Sequence, residues 1–149
     1  MSYEVNEINS KQMTFFRFED LRIYHKALDY IFWVQSINQQ FSGNADKALS
    51  AGFCEAARQV ALRIAEGSAR EKHQFIQYLK EAKSSIRSCL VYATIAHKHG
   101  YITDTEEDES RNQLMEMTKM LGALITSLQK GNAAPQDQYD EEFYPAKSW

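Results

Sequence analysis

Two prolines and six glycines in 149 residues give the chain few instructions to turn. A fold of many short strands needs turn signals about every 8–12 residues, so their scarcity favours a few long helices. Cysteine is as sparse. Cys54 and Cys89 stand without a CxxC or Cys/His spacing, which excludes a zinc-ligand pattern. With no signal-peptide pattern ahead of them, they are expected to be small buried apolar residues in a reducing cytosol. No run of about 18 apolar residues exists, so no membrane span is expected.

Catalytic patterns are missing too. There is no phosphate loop, no Gly-x-Ser-x-Gly elbow and no Glu-x-x-His pair of the kind a di-iron bundle uses. The histidines do not make a set. His25 lies early in the chain, and His73 is far from His97 and His99. Residues two apart on a helix do not face each other, so His97 and His99 are expected to offset a helix dipole rather than hold a metal. Hence no cofactor, no metal site and no enzymatic activity are expected. A strong charge of either sign is also lacking. The net charge of −3 argues against a protein that coats nucleic acid everywhere. The charge is uneven, however. Residues 47–98 hold nine Lys or Arg against four acids, an excess of five positive charges in mid-chain.

What is present is helical periodicity. At this length the chain is one domain with its own core. Residues 1–14 are polar and aperiodic and read as a loose arm. Residues 15–131 divide into four helical stretches. The first is expected from about Phe18 to Phe41, with Glu19 and Asp20 in its first turn. It carries two apolar stripes side by side, Leu21, Tyr24, Leu28, Ile31 and Gln35 beside Ile23, Ala27, Tyr30, Val34 and Ile37. Phe32 and Trp33 widen the arc further. A bundle helix needs one stripe. The surplus is either a wide buried face or a subunit interface, and Tyr30, Phe32 and Trp33 are the interface candidates because aromatics are enriched there.

The second helix is expected from Asp46 or Lys47 to Glu66, with Leu49, Phe53, Ala56 or Ala57, Val60 and Ile64 on one face. The third is expected from about Arg70 to His99. Its stripe of Phe75, Leu79, Ala82, Ile86, Cys89, Ala93 and Ala96 alternates steps of four and three, the period of left-handed bundle packing. The fourth is expected from Thr103 or Thr105 to Lys130, with Leu114, Met117, Leu121, Leu124 and Leu128 inside. The fold class is therefore all-α, an antiparallel up-down four-helix bundle. Residues 132–149 form a tail mixing acids with aromatics, from Asp137 to Trp149, and read as either disordered or a docking segment.

One corner organises the middle of the chain. Gly67 follows the last apolar residue of the second helix, where a cap at positive φ suits glycine. Ser68 and Glu71 then match a capping box for the third helix. Glu66 sits at a helix C-terminus, disfavoured by the dipole, and calls for a partner in Arg63, Arg70 or the free amides of the next helix. Glu66, Gly67, Ser68 and Arg70 are read as a structural corner. Further along, Lys80, Lys83 and Arg87 fall within about 60° of one another on a helix. They form a basic ridge beside the core stripe. Arg63 is a fourth, less central candidate, because it can pair with Glu66 instead.

The same letters carry a resemblance. Ile64-Ala65-Glu66-Gly67 with Arg70, then Phe75-Ile76, Leu79, Ala82 and Ser84-Ser85, resemble the four-helix-bundle family found in 23S rRNA intervening sequences. Phe18-Glu19-Asp20-Leu21, Tyr24 and Lys26-Ala27 resemble that family's opening helix. Ile95-Ala96 and Gly100-Tyr101-Ile102 resemble the end of its third helix. The resemblance covers roughly residues 15–130. It departs at Ala61, Arg63 and Arg87, where the family usually has Pro, Asn and Glu, so roles of those residues are not transferred.

The resemblance implies a ring-shaped homo-pentamer. The accessory proteins of diversity-generating retroelements share the fold and form a basic barrel that binds nucleic acid and a reverse transcriptase. It thus implies a non-enzymatic cytoplasmic scaffold that engages RNA or an RNA-protein complex through the ridge. The alternative is a protein-interaction module, such as an accessory subunit of a reverse transcriptase, working through apolar surfaces and the acidic-aromatic tail.

Overall fold

The computed structural model describes residues 15–40 and 46–131. The arm 1–14 and the tail 132–149 lie outside the described residues. Four helices follow a short 3-10 turn at Arg17–Asp20: α1 (Arg22–Asn38), α2 (Lys47–Gly67), α3 (Lys72–Lys98) and α4 (Asp104–Gln129). Each packs on the next, and α4 closes back on α1. The architecture is all-α, with sequential packing consistent with an up-down bundle. Among the described residues no helix is long and apolar enough to cross a membrane.

The core follows the stripes. All seven stripe residues of α3 are buried, from Phe75 to Ala96. On α2 Leu49, Phe53, Ala56, Ala57, Val60 and Ile64 are buried, joined by Ala61. On α4 the buried row is Ser110, Leu114, Met117, Leu121, Ile125 and Leu128. Ile125 takes the place expected for Leu124, because two four-residue steps in succession follow the 3.6-residue turn of a straight helix better than strict alternation does.

Helix ends differ more from expectation. The first helix does not begin at Phe18. Leu21 is extended, with φ −84° and ψ 130°, so Glu19 and Asp20 belong to the 3-10 turn. The His25 ring nitrogen bonds the Glu19 carbonyl at 2.7 Å and ties that turn to α1. The expected end at Phe41 lies outside the described residues. The cap at Gly100 has the geometry of a Schellman motif. Gly100 takes φ 79°, its amide donates to the His97 carbonyl, and the Tyr101 amide donates to the Ala96 carbonyl, both at 2.9 Å. Thr103 and Glu106 then form a reciprocal capping box that opens α4.

The α2–α3 corner is built otherwise than its letters suggest. Gly67 is the last residue of α2, and it is not among the glycines at positive φ. It is needed for closeness. A Cβ there would run into the Tyr78 Cβ and stand 2.9 Å from Tyr78 Cγ and 3.0 Å from a Phe75 ring carbon. Ser68 does not cap α3 either. Its hydroxyl donates back to the Ala65 carbonyl at 2.9 Å. The N-cap of α3 is Glu71, with no side-chain cap bond.

Tyr30 is a core residue, which corrects its placement at a subunit interface. It is wholly buried. Its hydroxyl shares a 2.7 Å hydrogen bond with Ser110 of α4, its ring stacks on Trp33 at 5.7 Å, and burial pushes its phenol well above the usual range. Trp33 is half-buried and donates to Glu109 at 3.2 Å. The second apolar stripe thus closes the α1–α4 seam. Of the three aromatics only Phe32 is exposed, at 63%.

The two cysteines differ. Cys89 is fully buried, and burial pushes its thiol up to about 12. Cys54 is half-buried and accepts a hydrogen bond from Asn38 at 2.9 Å. Native protein at pH 8 is therefore expected to take up one iodoacetamide group, on Cys54, and a second only after unfolding. Mass spectrometry after timed alkylation reads this directly. Fast labelling at Cys89 would show that its surroundings open. The same shift has a sign for stability. The native fold keeps the Cys89 proton that an unfolded thiol loses above about pH 8.5. This stabilising contribution is complete below that pH and declines as the pH rises towards 12.

Candidate nucleic-acid interface

The ridge sits on the first half of α3. That helix is positioned by its buried stripe, which leaves its flanks to solvent. Lys80 and Arg87 are exposed and Lys83 is half-buried. None of the three forms an ion pair with a described residue; the cationic partners that do are Lys26, Arg58, Arg63, Arg111 and two histidines. Three cations on one flank that pair with no described acid are placed to attract an anion.

Arg63 does not join them. Its guanidinium lies 3.5 Å from Glu66 and 3.5 Å from Glu81. At 100° per residue, Glu81 falls about 130° around α3 from the centre of the ridge. Arg63 is thereby held on the α2 side of α3, while the ridge lies on the other flank. The partner that Glu66 needs is Arg63. Arg70, another corner residue, instead places its guanidinium 5.3 Å from the centre of the Tyr78 ring. The corner is held by a glycine contact, a half-exposed ion-pair network and a cation–π contact.

The other flank brings in residues that the sequence reading missed. Arg87 lies at the rim of a groove of about 270 Å³ between α3 and α4. Ile86, Leu90, Leu114, Met115 and Thr118 line it, with Arg111 and Lys119 of α4 beside them. Arg111 shares Glu107 at 3.7 Å, and Lys119 forms no ion pair with a described residue. The only signal for Arg111 and Lys119 was their place in α4, and a charge on an amphipathic helix reads as a solvated face unless its neighbour is known.

His97 is not free at its helix end. Its ring nitrogens stand 2.6 Å from Asp104 and 3.3 Å from Glu107, linking the end of α3 to the start of α4. Among the described residues no three His, Cys, Asp or Glu side chains converge on a point that a metal ion could occupy.

The family model for the 23S rRNA-intervening sequence protein matches residues 19–123. No curated protein matches the chain. The match spans most of the bundle, from the 3-10 turn into the second half of α4, and includes the corner, the ridge and the groove.

Proposed function

Because the chain belongs to the 23S rRNA-intervening sequence protein family, we propose that it is a non-enzymatic, homo-oligomeric scaffold, a pentameric ring, that engages RNA or an RNA-protein complex. The observation that carries the reading is the ridge of Lys80, Lys83 and Arg87 on α3, none of which forms an ion pair with a described residue. Repeated around a ring, it would focus positive potential on a phosphate backbone without reading bases. Among the described residues no element resembles a groove-reading helix or an RNA-stacking sheet. Self-association is supported by apolar residues that the bundle leaves outside, Phe32 at 63% and Val91 at 57% exposure.

Those same residues favour a second reading, in which the apolar surfaces and the tail take up a protein partner such as a reverse transcriptase. Two measurements separate the readings. Light scattering at micromolar concentration is expected to give a mass several times 17.2 kDa. Filter binding with structured RNA is expected to show binding at low salt that weakens as salt rises, with log affinity falling by about 0.7–0.9 per log unit of salt for each phosphate neutralised. A monomer would remove the ring. No binding at low salt would leave the protein-partner reading.

A further inference from the structure

We propose that the groove between α3 and α4 is the docking site of this chain's own C-terminal segment, residues 132–149. The groove has an apolar floor and a cationic rim. Ile86, Leu90, Leu114 and Met115 form the floor, and Arg87, Arg111 and Lys119 stand around it. Met115 is half-exposed with nothing from the bundle over it. The segment has the matching chemistry. Asp137, Asp140, Glu141 and Glu142 lie among Tyr139, Phe143 and Tyr144, and Lys147 is its one cation. Acids that meet the rim would therefore bring aromatic rings over the floor.

Reach and position agree. The segment follows α4, which is one wall of the groove. From Lys130 back to Met115 is about 22 Å along the helix at 1.5 Å per residue. The stretch from residue 132 to Phe143 can extend to roughly 36 Å, enough to double back along its own helix or to cross to a neighbouring copy. Residues 1–14 fit less well. They hold two acids and one aromatic, and they precede α1, which does not line the groove. Arg87 belongs to both ridge and rim, so a docked segment withdraws one ridge cation from other anions. The docking itself does not depend on whether the ridge binds nucleic acid.

The test uses the full chain with p-benzoyl-phenylalanine in place of Phe143. On irradiation this photophore inserts into nearby C–H bonds, those of methionine readily. Digestion and mass spectrometry are expected to place the adduct on Met115 or its groove neighbours, in the same or a neighbouring copy. Reversing the rim in the same chain (Arg87→Glu, Arg111→Glu, Lys119→Glu) is expected to reduce that adduct about tenfold, with helicity unchanged, because three screened ion pairs are lost. Adducts spread over the exposed surface, or gathered on another face, would overturn the proposal. So would a groove adduct indifferent to the rim reversal. A second copy's helix seated in the groove would exclude the segment and give the spread pattern.

Discussion

Gly67→Val is expected to lower the melting temperature by roughly 10 °C or more, and Gly67→Ala to lower it as well. A side chain at Gly67 meets the Tyr78 Cβ, which cannot swing away because it is fixed to the α3 backbone. The two helices must part at the point where the chain joins them. Overpacking of this kind costs about 1–3 kcal/mol and sometimes more, and each kcal/mol is worth about 3–4 °C in a domain of this size. Gly122 supplies the control. It is also inside a helix, but a Cβ there would have nothing within 4 Å. Gly122→Ala is therefore expected to be neutral or to stabilise by up to about 1 kcal/mol, through helix propensity alone. Thermal melts of the three variants decide the matter. A Gly67→Ala protein that melts at or above the wild type would show that α2 and α3 can separate there without cost.

Reversing the ridge, with Lys80→Glu, Lys83→Glu and Arg87→Glu together, is expected to lower RNA affinity by on the order of a hundredfold or more at low salt. Three attractive sites per subunit become repulsive, and the loss is multiplied if the sites act together around a ring. The salt dependence should flatten in parallel, since fewer counterions are released. Circular dichroism and mass are expected to stay as they were, because Lys80 and Arg87 are exposed and none of the three forms an ion pair with a described residue. Arg63→Glu is the comparison. Arg63 is tied to Glu66 and Glu81, so its reversal should disturb the corner more than RNA binding. If Arg63→Glu alone abolished binding while the triple reversal did not, the interface would lie on the α2 side of α3.

The helices themselves were legible as letters. The stripe of α3 could be read residue by residue, because a buried helix face in a bundle recurs near every 3.5 residues and all seven residues of the stripe are buried. The pairing of Glu66 with Arg63 was also within reach, since it needs only a helical spacing of three. The Thr103–Glu106 box, of which only the helix start at Thr103 or Thr105 was read, needed no more than a cap residue with Glu three places on. These features depend on neighbours in the chain.

What the letters could not carry were the contacts between helices. A glycine at the end of a helix is written the same way whether it turns the chain at positive φ or admits a neighbour's backbone, and only the approach of Tyr78 decides that Gly67 does the second. An aromatic surplus on α1 is written the same way whether it faces a partner or a core, and the Ser110 hydroxyl on a helix eighty residues away decides it for Tyr30. The side of α3 on which Arg63 lies follows from Glu81, and Arg111 and Lys119 meet Arg87 only because α4 packs beside α3. Sequence alone determined the number of helices and the buried faces of α2 and α3, since each rests on local periodicity. Tertiary structure decided which small residue is a spacer, which aromatic is core and which cations share a groove, because those depend on distances across helix pairs that periodicity does not encode.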